Sequence, residues 1–532
     1  MIHVSRRTFG AGALATGLWT GIKSPFAQAP RRGGTLVATW GGGEPQAVYV
    51  PSGGGPGPTF SSSKVLERLA RRKMNGEFEG ELAEGWKAAE DFKSYTVKLR
   101  EDVKFHDGQP MTADDVVYSV DEIWKKYAAP ASMTDYTGIE APDAGRVIVK
   151  FGKPMPQFTF ASLLSGPASY IVPKHVYAGS DPSGNPANNT PIGTGPWKFK
   201  TWVRGSHFEY VRNDDYWRQG FPYMDRLVLR FVRDPAGRAA AIEAGEIQIG
   251  VFDAIQAADI KRLTATPKFV ATTQGYEEAV WATTMECNCR KPLFARREVR
   301  QAMFFAVNRE HIANTVYYGY ARPGTSPIFS PNTEFYSPDT FSTAYDPKKA
   351  AALLDAAGHK KPAKGSRFSV TLVAGGWFAD NARVAAIVKQ GLEEVGITVD
   401  LAVPERAAAI KRIYTDYDFD LAISNQQNPS EPVPTTTQYF TTDGIKKGVP
   451  FRNASGFTSA DMDALVEKIR IETEPARRRS LVVDFQQLAA QEACNLPLAE
   501  VETSTVASAR VQNYANDPNT LAASWHDIWL AA

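Results

Sequence analysis

The order of apolar and polar positions outlines the elements before any composition is considered. Gly34-Thr35-Leu36-Val37-Ala38-Thr39-Trp40 predicts a strand, and a Gly- and Pro-rich loop follows to about Thr59. Tyr95-Thr96-Val97-Lys98-Leu99 alternates like a half-buried strand, and Asp107-Gly108 marks a turn. Thr112 opens a helix with Asp115 at the capping-box position, and Val116, Val117, Val120, Ile123 and Trp124 form its apolar face. Val147-Ile148-Val149 predicts a further strand, so 64–184 reads as a compact α/β lobe bounded by the Pro/Gly/Asn-rich stretch 181–196. Strand patterns recur at Phe208–Val211 and Leu227–Phe231, and a helix runs from Asp234-Pro235 to near Gly245.

A βαβ unit is legible further on. Phe368–Val373 predicts a strand; Val384, Ile387, Val388, Leu392 and Val395 predict a helix closed by Gly396; Ile397–Leu401 predicts the next strand. A right-handed crossover makes the strands parallel and puts the loop Ala374-Gly375-Gly376-Trp377-Phe378 at the carboxyl end of the sheet, where open α/β sheets bind ligands. Phe419–Ile423 fits another strand of this sheet, ending in a polar loop, Ser424-Asn425-Gln426-Gln427-Asn428. The Thr/Pro-rich stretch 429–437 reads as loop.

Length adds a domain count: 532 residues exceed what one core supports, so roughly two to four domains are expected. A net charge of +2 argues against a nucleic-acid binder. The clusters Arg71-Arg72-Lys73 and Arg477-Arg478-Arg479 read as solvated helix faces. Ser5-Arg6-Arg7-Thr8-Phe9, a weakly apolar stretch to Ile22 and Ala27-Gln28-Ala29 read as a twin-arginine signal over residues 1–30. No later stretch is long and apolar enough to span a bilayer. No cysteine lies near the cleavage site, so no lipid anchor is expected, and retention in a Gram-negative periplasm follows. Cys287, Cys289 and Cys494 read as packing residues or as a disulfide to Cys494.

Catalytic spacing is missing. The 7 histidines include no His-Glu-x-x-His pair, and there is no Gly-x-Ser-x-Gly elbow. His106 beside Asp107 reads as a turn. Neither a metal site nor a cofactor site is expected. Aromatic residues are plentiful, with 11 Trp, 20 Tyr and 28 Phe. Most belong to cores, while Trp40, Tyr49, Trp377 and Phe378, on loops near Gly or Pro, are candidates to line a cleft.

Several motifs together resemble the family-5 extracellular solute-binding proteins, the oligopeptide-, dipeptide- and nickel-binding group of ABC importers. They are Glu81-Leu82-Ala83-Glu84-Gly85-Trp86, Tyr95–Arg100 with Val103–Gly108 and Thr112–Ser119, Pro191-Ile192-Gly193-Thr194-Gly195-Pro196-Trp197, Asn213–Trp217, Ala244–Ile247, and Val299–Ala302 with Val307–Glu310. The resemblance spans essentially the whole mature chain. It implies an α/β, periplasmic-binding-protein-like fold of two lobes around a hinge, with an extra subdomain in lobe I. The implied boundaries are 31–63 and 185–282 for lobe I, 64–184 for the extra subdomain, 283–499 for lobe II and 500–532 for a return to lobe I, with hinge crossings near Trp281 and Glu500.

The implied function is ligand-induced lobe closure that delivers a small organic solute, peptide-like or other, to an ABC permease in the inner membrane. The protein acts as a monomer, with no cofactor, metal, nucleic-acid partner or catalysis. A sensory or chaperone-type binding protein of the same fold is the alternative, and a secreted hydrolase a more distant one. In peptide binders of the family an Asp-Pro segment after the strand equivalent to Phe419–Ile423 holds the peptide amino group. Here that stretch reads Ser424 to Pro432, with Asn425, Gln426 and Gln427 offering amides and Glu431 the one acid. The absence of a His cluster argues against nickel.

Overall fold

Strand Thr35–Trp40 is flanked on both sides by parallel partners, Arg226–Arg230 and Ile249–Val251. The computed structural model describes residues 29–532 except 54, 130–131, 330–333, 339 and 341–343. The twin-arginine motif and the apolar stretch after it therefore lie outside the described residues. Leu36, Ala38 and Trp40 face one core, while Val37 faces a second one under helices Pro235–Glu243 and Ala257–Thr264. Burial on both faces explains why this strand is nearly continuously apolar. The hairpin Trp197–Val203/His207–Arg212 extends the sheet on one side. On the other side Thr505–Ser508 inserts between Ile249–Val251 and Phe269–Thr272, completing seven strands.

A four-stranded antiparallel sheet, in the order Ala83–Ala88, Ser94–Leu99, Arg146–Phe151, Tyr136–Asp143, forms the extra subdomain. Helix Ala113–Tyr118 continues through wider turns to Ala128 and packs Val116, Val120, Ile123 and Trp124 inward. The Thr112 N–H donates to Asp115 Oδ2 at 2.8 Å, closing the capping box. One contiguous core joins this sheet to the seven-stranded sheet. Lobe I and the extra subdomain are thus one packed body.

Lobe II is built on a six-stranded sheet in the order Ala321–Pro323, Asn495–Val501, Val280–Cys287, Leu421–Asn428, Ser369–Ala374, Thr398–Ala402. The last two pair in parallel through helix Asp380–Glu394, and Gly396 at φ +88° makes the turn between helix and strand. Gly391 lets this helix touch its neighbour: a Cβ there would lie 2.2 Å from the Ala306 oxygen. Lobe II has its own cores. The chain passes between the lobes at 273–279 and again at 502–504.

Three expectations change. Ser424–Asn428 is strand, not loop, because Val280–Thr284 supplies a complete antiparallel partner. Arg71-Arg72 lies on a short hairpin strand, Ala70–Arg72, and the Arg72 side chain is buried against Glu278 at 3.5 Å. In Arg477–Arg479, a helical segment, Arg477 is solvated but Arg478 is buried. The cysteines are free thiols, Cys287 and Cys494 buried in apolar cores, so packing prevails over a disulfide. No helix among the described residues is long and apolar enough to cross a membrane.

Candidate functional site

Where Thr35–Trp40 ends, Gly41 runs against the end of the neighbouring strand. Its N–H donates to the Phe252 carbonyl at 3.1 Å, and a Cβ on Gly41 would lie 2.2 Å from that oxygen. Only glycine permits this approach. Phe252 and Asp253 both adopt the left-handed conformation, at φ 54° and 51°. Such residues cost about 1–3 kcal/mol each and persist where surroundings enforce them.

The enforcing contacts come from both interlobe crossings. The Phe252 N–H donates to the Tyr276 hydroxyl at 2.7 Å, which also bonds Thr505 Oγ1 at 2.7 Å. Asp253 Oδ1 accepts from the Ser504 N–H at 2.8 Å and from Ser504 Oγ at 2.9 Å. Asp253 keeps access to solvent at this corner, with dense protein around it. The surrounding protein, by partly desolvating the carboxyl, raises it to about 6, against the lowering effect of the Ser504 hydrogen bonds; the Asp380 carboxylate of lobe II adds to the rise. A cavity of about 460 Å³ lies beside the crossings, lined by Thr272, Tyr276, Glu277, Arg322, Glu500 and Thr503.

On lobe II, whose Asp380 acts electrostatically on Asp253, a hydrogen-bonded wall is formed. Thr283 Oγ1 lies 2.6 Å from the Tyr317 hydroxyl and accepts from Asn425 Nδ2 at 3.1 Å. Asn425 Oδ1 accepts from Trp377 Nε1 and Asn381 Nδ2, both at 2.8 Å. The amide thus fixes the aromatic loop to the sheet. Phe378, 43% exposed, meets Trp281 edge-on at 5.9 Å, and Trp281 pairs across the strands with Gln427. Asp380 pairs with Arg383 at 3.2 Å, while burial raises its carboxyl pKa.

Strand geometry separates the expected site residues. Side chains alternate across a strand, so Asn425 and Gln427 share one face while Gln426 points to the other. Trp377, Phe378, Asn425 and Gln427 come together; Gln426 is buried on the far face with its Nε2 unpartnered. Trp40 is in the lobe I core, edge-on to Phe60 and Phe231 at 5.6 Å. Tyr49 is enclosed edge-on by Tyr170 and Tyr177, so it packs the core instead of lining a cleft. Glu431 is buried and committed: Oε1 accepts from Arg478 Nη2 at 2.8 Å and Oε2 from Thr159 Oγ1 at 2.8 Å. It is therefore not a free acid in place of the missing Asp-Pro. Asp253, Ser504, Tyr276, Thr283 and Tyr317 were not singled out from sequence. Only the pairing of distant strands brings them to one place. Among the described residues no group of three or more His, Cys, Asp or Glu is placed to hold a metal ion.

Comparisons with known proteins give the family and the fold. Residues 77–448 match the model of bacterial extracellular solute-binding proteins, family 5 middle. Di/tripeptide-binding protein 2 of Pseudomonas aeruginosa is 26% identical over 460 residues, covering 82% of this chain and 84% of that protein. The oligopeptide-binding protein AppA of Bacillus subtilis is 29% identical over 411 residues, covering 73% and 71%. Two solved structures share the fold. The periplasmic binding protein DppA of Helicobacter pylori, in complex with peptide STSA, has a TM-score of 0.78 at 23% identity, covering 94% of this chain and 99% of that one. AgaA of A. tumefaciens R10, in complex with agropinic acid, has a TM-score of 0.76 at 24% identity, again covering 94% and 99%. The chain belongs to the bacterial extracellular solute-binding proteins of family 5, and it binds a solute for delivery to an ABC-type importer.

Proposed function

We propose that the protein captures a small, amine-bearing organic solute of peptide-like character in the cleft between Asp253 and the Trp377–Phe378/Gln427 wall. The observation that carries this reading is Asp253, a solvent-accessible carboxylate on a strained corner bonded to both crossings. An ammonium paired with it gains a charge-assisted hydrogen bond, and Phe378 and Trp281 offer apolar surface for the rest of the solute. The ligands that two of the relatives are named for, di- and tripeptides and oligopeptides, carry a free amino group and are of compatible chemistry.

Binding across the two lobes favours their closed arrangement, which is what the permease in the inner membrane receives. The solute leaves chemically unchanged, and no cofactor takes part. The protein works as a monomer in the periplasm, reached through the twin-arginine signal of residues 1–30. Mass spectrometry of small molecules released from the purified protein tests the ligand class. An amine-bearing solute that is lost from Asp253→Asn supports it; a solute with no amine sinks it. A solute recovered cleaved after incubation would instead favour a hydrolase. Replacing Arg6 and Arg7 by lysine and finding the protein still exported would exclude the twin-arginine route.

A further inference from the structure

The segment Lys153–Thr159 of the extra subdomain reaches across to lobe II, far along the chain from both crossings. Three of its side chains engage there. Thr159 Oγ1 donates to Glu431 Oε2 at 2.8 Å, and Arg478 and the Val433 N–H hold the other carboxylate oxygen from within lobe II. The Phe158 ring sits between Phe78 of its own body, at 5.2 Å, and Phe335 of lobe II, at 5.3 Å. Phe158 packs on the lobe II core formed by Phe335, Val433, Phe485 and their neighbours, although it belongs to the other body. Lys153 Nζ lies 2.5 Å from Glu467 at the exposed edge. Arg72 completes the seam. Its guanidinium lies over Phe78 and Phe158, at 5.6 and 5.5 Å, and hydrogen-bonds Ser430 of lobe II.

We infer that this seam is a clasp: the extra subdomain holds lobe II in the closed arrangement through contacts that do not involve the solute. Lobe I and the extra subdomain share one core and move as one body, whereas lobe II has separate cores. Hinge opening must therefore part Thr159 from Glu431 and withdraw Phe158 from Phe335. A cavity of about 490 Å³ lies beside Phe158, lined further by Phe92, Phe335, Pro475 and Arg478. The seam acts as a clasp that needs no solute. It populates the closed state before ligand arrives and so raises apparent affinity without touching ligand. Glu431 keeps its Arg478 partner in either state, which makes the carboxylate a preset acceptor for Thr159.

The test needs no solute, so its outcome is independent of the proposed ligand. Spin labels on exposed Lys87→Cys and Lys468→Cys of the full mature chain report the distance between the two bodies. The unliganded parent is expected to show a short-distance, closed population. Thr159→Val should reduce the ratio of closed to open by about fivefold, the factor expected for one buried hydrogen bond. Phe158→Ala should reduce it further, and Lys153→Ala, an exposed change that cannot disturb a core, should reduce it less. Identical distance distributions in the parent and in all folded variants would overturn the clasp. So would a parent that is wholly open without ligand.

Discussion

Asp253 and Ser504 are 251 positions apart, yet one carboxylate oxygen of Asp253 accepts from both the N–H and the hydroxyl of Ser504, at 2.8 and 2.9 Å. This pair ties the strained corner of lobe I to the second interlobe crossing. Movement of the crossing and the position of the Asp253 carboxylate are therefore coupled.

Solute affinity should depend on pH through Asp253. Its carboxyl is raised to about 6, so it is protonated below that pH and ionised above it. If it pairs with an ammonium, calorimetric affinity should rise from pH 5 to pH 7.5 and level off. Asp253→Asn should bind weakly and lose the dependence. A flat profile in the parent would remove Asp253 from the site.

Glu286 should make the fold sensitive to alkali. It is wholly buried in lobe II, and burial raises its carboxyl to about 8, although the N–H groups of Ala454 and Ser455 and the Arg290 charge lower it. Tyr414 and Tyr439 also face it. The folded value lies above the ordinary 4.5, so the fold favours the protonated form. Stability from this group is complete below about pH 4.5 and is lost as pH rises through about 8. Between pH 7 and 9.5 the Tm of the parent should fall more steeply than that of Glu286→Gln. Parallel slopes would refute the assignment.

Breaking the Glu431–Arg478 pair should cost more than replacing it. Glu431→Ala leaves the Arg478 guanidinium, 3% exposed, buried without its counter-charge. A loss of about 3–5 kcal/mol is expected in urea unfolding. Glu431→Leu with Arg478→Met should recover most of it. A single-variant loss under about 1 kcal/mol, typical of a surface pair, would mean that the pair is solvated.

Gly41→Ala should impair binding more than folding. The added methyl meets the Phe252 carbonyl at 2.2 Å, so the strained corner carrying Asp253 must shift, at about 1–3 kcal/mol. Solute affinity should fall while the denaturant midpoint drops modestly. Unchanged affinity would show that the corner does not position the carboxylate.

Asn425→Ala should loosen the aromatic loop. It leaves Trp377 Nε1 without its acceptor and Asn381 Nδ2 with the Gly375 carbonyl alone, at about 1–3 kcal/mol for a donor left unpaired. Trp377 fluorescence should shift to the red, and solute affinity should fall. An unshifted spectrum would show that water or Thr283 replaces the amide.

Sequence alone determined those elements whose cause is local. Alternation at Tyr95–Leu99, the capping box at Thr112–Asp115 and the glycine stop at Gly396 each act within a few residues, and each element forms where its pattern predicts. The ordered family motifs carried the two-lobed fold and the binding role. Tertiary structure decided what depends on distant partners. Ser424–Asn428 reads as a loop until Val280–Thr284 pairs with it, and that pairing sends Gln426 to the opposite face from Asn425 and Gln427. Glu431 reads as a free acid until Arg478 and Thr159 close on it. Asp253 carries no local signal at all, because its backbone conformation is imposed by Tyr276 and Ser504 from the two crossings. A pattern of neighbours encodes which surface a residue turns inward; only the paired strands and packed lobes set what that surface meets.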